Sequence, residues 1–255
     1  MLEHFVVGQV FTFLMIFSRI LGGIIVLPGF GESYVPVRIR LSFALMLALM
    51  LTPVLIKVIP PMPASPFSLA LLLISELIIG LFIGLICNIL ISVTNTAGMI
   101  ISFQAGISSD VIYDVTQSSQ GSVIGNFLGI VTLVVLFMLN FHHLMLRGIT
   151  ESYGVFVPGH FPPLHDFLET IARTISQTFS VALQISAPVV VATGLLFLGS
   201  GIIARLMPTI QVFFLIVPPQ LLLGLFIFMT SFSTIMLWYI EFYKDQLTGF
   251  MSYLK

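Results

Sequence analysis

Six long apolar runs dominate this chain, at residues 9–27, 40–59, 68–93, 123–146, 178–203 and 211–240, with polar connections at 28–39, 60–67, 94–122, 147–177 and 204–210. A helix needs about 20 mostly apolar residues to cross a bilayer, and every run is of that order or longer. Strands of about 4–8 residues are too short to explain them. A transmembrane barrel would alternate apolar and polar residues at period two, which these runs do not do. The expected fold is all-α: an integral membrane protein of about six long hydrophobic helices.

Composition excludes the soluble alternatives. The chain is 58% hydrophobic and 7% charged, whereas soluble domains carry about 25% charged residues. Its surroundings must be lipid or other apolar subunits. A net charge of −1 offers no basic face, so no nucleic-acid partner is expected. The length suits one bundle spanning residues 1–255, with no separate soluble domain. The one cysteine, Cys87, lies in an apolar run and reads as a small buried hydrophobe with no intramolecular disulfide open to it. No Lys or Arg precedes the first apolar run and no small-x-small site precedes Pro28, so residues 9–27 read as a retained helix, not a cleaved signal.

Two runs are poor simple spans. Pro218-Pro219 interrupts the last, and Pro188 is followed by Gly194, Gly199 and Gly201 in the one before. Both are expected to kink or break, because proline removes a backbone donor. Broken backbone at membrane depth needs cover from protein or a watery cavity. With six spans, Arg38, Arg40 and Arg205 fall on one side and Lys57, Arg147, Arg173, Lys244 and Lys255 on the other. That bias is too weak to set an orientation.

Glu76, Gly80, Gly84 and Asn88 recur every four residues, which places them along one helix face. Gly80 and Gly84 form a small-xxx-small pair that admits close approach of another backbone. Gly121, Gly125 and Gly129 form a second such row. Spacing alone leaves open whether these rows pack within the chain or against a partner. A carboxylate such as Glu76 inside an apolar helix costs about 2.5 to 3.5 kcal/mol on insertion scales. An ion pair with Arg19 or Arg205 is the expected remedy, making these three the candidate buried charges; protonation or contact with water are the alternatives. His142-His143 is badly spaced for a metal, since helix neighbours point about 100° apart. No phosphate-binding loop, nucleophile elbow or zinc-protease motif is present, so no catalytic residue, cofactor or metal is expected.

The connection 102–122 mixes small polar residues with Ile107, Val111, Ile112 and Tyr113, carries Asp110 and Asp114, and has Gly106 to permit a sharp bend. It reads either as a plain loop or as a plug folded into a protein-lined channel, where apolar side chains block ions.

In order along the chain stand Arg19, Gly22-Gly23, Pro28-Gly-Phe-Gly31, Pro36-Val-Arg38, Glu76-xxx-Gly80-xxx-Gly84, Ala97-Gly98 and Phe103-Gln-Ala-Gly-Ile-Ser108. His142-His143 with Ser152-Tyr153, Arg205-Leu-Met-Pro208 and Gln211-Val-Phe-Phe-Leu215 follow. This ordered set resembles the FliR family of flagellar type III export-gate membrane proteins. It departs from the family pattern at Val115, where proline commonly follows the aspartate, at Gln211, where asparagine is common, and at Pro219-Gln220, where proline-lysine is usual. The resemblance implies helical hairpins in a conical channel assembled with FliP and FliQ, one copy of this chain per assembly. It implies FlhB and FlhA as neighbours, membrane lipid as a partner at the inner membrane of the flagellar basal body with much of the assembly above the membrane plane instead of crossing it, and unfolded flagellar proteins as the substrates that pass. It also implies that Gly106, Ile107, Ser108, Ser109, Asp110, Val111, Ile112 and Tyr113 form a gate loop that keeps the channel shut. The related SctT proteins of injectisomes are the nearest alternative. A small proton-coupled transporter using Glu76 is a more distant one, disfavoured because no internal repeat is found.

Overall fold

The computed structural model describes residues 2–107, 122–207 and 212–253, with side chains described at 8–107, 122–207 and 214–250. Among them are seven helices and no strand: α1 (Leu2–Val26), α2 (Val37–Leu55), α3 (Pro66–Gln104), α4 (Val123–Met138), α5 (Phe141–Val155), α6 (Leu164–Leu206) and α7 (Val212–Tyr253). The all-α expectation therefore holds. Five helices are long and apolar enough to cross a membrane, or six spans if α4 and α5 count as one bent span.

The run expected at 123–146 is not one helix. It breaks after Met138, and α5 leaves α4 at 75°. The break is local chemistry: Asn140 adopts φ 61° and ψ 22°, the left-handed region that asparagine tolerates better than most residues. The Asn140 amide donates to Phe137 O (3.1 Å), and its own carbonyl accepts from the His143 amide (3.1 Å) as the next helix starts. At the prolines the helices do not break. α6 continues through Pro188, and α7 through Pro218 and Pro219. Each proline deletes one intrahelical hydrogen bond. Pro188 is flanked by buried Val181, Ala182, Ile185 and Val189, whose packing offsets the lost bond, whereas Pro218 and Pro219 lie past the first turn of α7 and each forfeits a full bond.

The chain divides into two compact units. The first comprises residues through Leu90, Leu136–Thr174 and those from Lys244 on; the second comprises Ile91–Val135 and Ile175–Tyr243. In the first unit α1 packs against α2 and α5. A turn follows α1 in which Gly29 takes φ +82°, and the amides of Phe30 and Gly31 donate to Leu27 O at 3.1 and 2.7 Å. Phe30 stacks on Phe43 of α2, ring centres 5.1 Å apart, so the turn aims α2 back along α1. In the second unit Ile101, Ile124, Leu128, Val189, Phe228 and Met236 form one core that joins α3, α4, α6 and α7.

Candidate functional site

The row read along α3 faces α1 over its whole length. Glu76 meets Arg19: Arg19 Nε donates to Glu76 Oε2 at 2.6 Å, and both side chains are fully buried. One turn on, a Cβ at Gly80 would fall on the Arg19 backbone carbonyl; one turn further, a Cβ at Gly84 would lie 2.6 Å from Gly23 O. At the end of the row Asn88 Nδ2 donates to Val26 O at 2.9 Å. From the other side, a Cβ at Gly22 would sit 2.5 Å from Leu77 O. The two backbones touch because glycine removes every intervening side chain, the geometry for which small-xxx-small pairs are selected.

Arg19 is the hub. Besides Glu76, its Nη1 donates to Ser152 Oγ (3.1 Å) and its Nη2 to the Phe156 carbonyl (2.9 Å). Its guanidinium carbon lies 3.9 Å from the centre of the Tyr153 ring, a cation–π contact of a kind that strengthens when desolvated. One arginine thus ties α1 to α3 and to the end of α5, and a buried charge held by a carboxylate and neutral acceptors costs far less than a bare one. Ser152 and Tyr153, singled out in sequence only as part of an ordered motif, are brought here by the bend at Asn140. Arg205 is not part of this cluster. It belongs to the second unit and stands exposed at the end of α6 among the described residues, so its expected burial is not seen within this chain. His142 and His143 lie on the first turn of α5 with rings 4.1 Å apart, and His142 stacks on Phe137 at 4.9 Å.

The second glycine row packs on α3 inside the second unit. A Cβ at Gly129 would run into the Asn95 side chain, one at Gly125 would lie 3.0 Å from Asn95 O, and one at Gly98 would strike the Gly125 backbone. Gly121 lies outside the described residues.

Of the expected gate loop, Gly106 and Ile107 are described, while Ser108, Ser109, Asp110, Val111, Ile112 and Tyr113 lie outside the described residues. Gly106 has φ +79°, which fits the bend inferred from its sequence. Gln220 of α7, itself buried, donates from Nε2 to Gln104 O at 2.8 Å. A Cβ at Gly224 would lie 2.7 Å from Ala105 Cβ, so α7 presses closely on the end of α3. Ser122 Oγ contacts Ser102 Oγ (2.5 Å), donates to Gly98 O (3.1 Å) and accepts from the Gly125 amide (3.0 Å), which caps α4. Gln220 and Ser122 escaped sequence reasoning; the only signal was that Gln220 departs from the family's usual lysine.

Long apolar helices, backbones in contact through glycine and a buried arginine–glutamate pair define a multi-pass helical membrane protein. The sequence pattern of the bacterial export proteins, family 1, matches residues 10–245. The flagellar biosynthetic protein FliR of Caulobacter vibrioides is 32% identical over 242 residues, 95% of this chain and 96% of that protein. FliR of Bacillus subtilis is 33% identical, over 88% of this chain and 87% of its own length. The Yop proteins translocation protein T of Yersinia pestis is 25% identical, over 86% and 84%. The chain belongs to the bacterial export proteins, family 1, as a multi-pass inner-membrane component of the flagellar export apparatus.

Proposed function

We propose that residues 1–255 act as one export-gate module that assembles with FliP-like and FliQ-like proteins, one copy per assembly, into a closed channel for unfolded flagellar substrates. FlhB-like and FlhA-like proteins are its neighbours at the channel base. The observation that carries this reading is near-full-length similarity to FliR proteins from two distant bacteria at 32% and 33% identity. The 25% identity to the Yersinia translocation protein supports an injectisome role less well. The chain contributes shape and sealing, not chemistry.

In this reading Gly106 to Tyr113 form the seal, and the described geometry supplies its footing. Gly106 turns the chain out of α3, Gln220 holds the Gln104 carbonyl at that turn, and Ser122 fixes the start of α4 against α3. The Arg19–Glu76 cluster reads as structural, because Arg19 ties three helices together, although Glu76 Oε1 and the Tyr153 hydroxyl are buried there without a hydrogen-bond partner among the described residues. Native mass spectrometry after co-expression with the neighbouring FliP-like and FliQ-like proteins tests the assembly. A discrete complex with one copy of this chain is expected. A monomer that ignores those partners, while they assemble without it, overturns the reading.

A further inference from the structure

In the first unit a groove of about 210 Å³ runs between α1, α2 and α5. Its walls are apolar, with Ile20 from α1, Leu47 and Met50 from α2 and Leu146 from α5, and the polar side chains that reach it are Arg147 and Thr150. The volume is smaller than the roughly 300–1,000 Å³ of a drug-sized site, and its charged group, Arg147, stands at the edge of otherwise apolar walls. Arg147 is 64% exposed and spends one nitrogen on its own helix: Nε donates to Glu151 Oε1 at 2.7 Å. Its two terminal nitrogens remain for an outside acceptor, and a guanidinium offers a planar fork that matches a phosphate. Thr150 is already committed, since its hydroxyl donates to Arg147 O.

α2 supplies the second half of the argument. It buries only Ala44 and Ala48 and exposes Met46, Leu49, Met50 and Val54. Met50 belongs both to this exposed face and to the groove, so the slot opens onto a surface that needs an apolar solvent. An apolar slot continuous with such a surface, with one phosphate-matching cation beside it, has the polarity of an amphiphile. We propose that the groove is a phospholipid site: one acyl chain lies against Ile20, Leu47 and Leu146, and Arg147 holds the phosphodiester. Basic side chains beside clefts between membrane helices recognise lipid headgroups in this way. The site depends on the chain being in a membrane and not on the export-gate reading.

The test is retention of lipid by the purified protein in mild detergent, with palmitoyl-oleoyl phosphatidylglycerol as probe and palmitoyl-oleoyl glycerol, which lacks the phosphate, as control. Native mass spectrometry is expected to show one phosphatidylglycerol held and the control not held. Arg147→Gln, made with Glu151→Gln so that no half-buried carboxylate is left without its cation, is expected to weaken retention about fivefold, the equivalent of about 1 kcal/mol for one basic residue at a lipid surface. Leu47→Trp should abolish retention by filling the slot while Arg147 stays in place. Equal retention by wild type and Arg147→Gln/Glu151→Gln, or none by wild type, overturns the proposal. A photo-crosslinking residue at position 50 in cells separates the occupants: a lipid adduct supports the site, and a protein adduct assigns the groove to a partner helix.

Discussion

Removing one partner of the Arg19–Glu76 pair should damage this protein far more than removing both. Arg19→Met keeps the side chain's length but leaves the Glu76 carboxylate buried with no cation, and strips the Phe156 carbonyl of its donor. Ser152 suffers less, because its hydroxyl still donates to Ile149 O at 2.7 Å. Glu76→Leu leaves a fully buried guanidinium held only by neutral acceptors and the Tyr153 ring. Breaking a buried pair from either side costs about 3–5 kcal/mol, whereas replacing both charges by apolar residues of similar size is often nearly neutral. The double variant Arg19→Met/Glu76→Leu should therefore cost less than about 2 kcal/mol, once the lost bond to Phe156 O is counted at about 1 kcal/mol. The coupling is then about 4 kcal/mol or more, above the roughly 0.5–3 kcal/mol usual for contacting residues, as a fully buried ion pair should give. Equilibrium unfolding in mixed micelles, followed by far-ultraviolet circular dichroism, measures all four corners of the cycle. If the double variant costs the sum of the two singles to within about 0.5 kcal/mol, the two side chains are energetically independent and the account of the cluster is wrong.

The glycine contacts give a graded series. Gly80→Leu should prevent α1 and α3 from closing and abolish monodisperse protein on size exclusion, and Gly80→Ala should already cost about 1–3 kcal/mol by overpacking. Gly154→Ala and Gly194→Ala meet nothing within 4 Å in this chain and should leave its unfolding midpoint unchanged or slightly raised. Gln220→Ala should free the Gln104 carbonyl at a cost of about 1 kcal/mol, seen as faster amide hydrogen exchange over residues 103–107 with α1 unaffected. Deleting Gly106 to Tyr113 should make cells expressing the assembled complex leak ions and small solutes; unchanged leakage removes the sealing role.

The close-packed faces at Gly80 and Gly84 and at Gly125 and Gly129 were legible from spacing, because a four-residue repeat needs only the 100° step of a helix to define a face. That Glu76 needed a partner was also legible, from the cost of a lone carboxylate in an apolar helix. Which arginine met it was not. Arg19 and Arg205 are equivalent on composition, and the choice rests on contacts 57 residues apart in the chain, with Ser152 arriving from 133 residues away. The break at Asn140 was missed because hydrophobicity runs on through 123–146 while one residue's φ decides the direction of everything after it. At Pro188, by contrast, the helix runs on unbroken, since a local helix-breaking tendency yields to tertiary packing.

What the sequence alone determined is therefore the solvent, the helical class and the faces that each helix must hide. These follow from residue-by-residue transfer costs and a fixed helical period. Only the tertiary structure decided that the faces hide one another within this chain, that one arginine ties three helices together and that Arg205 stands exposed at the end of its helix. Those outcomes are pairings between distant segments, and nothing local in a sequence encodes which of several equally suitable partners comes within hydrogen-bond reach.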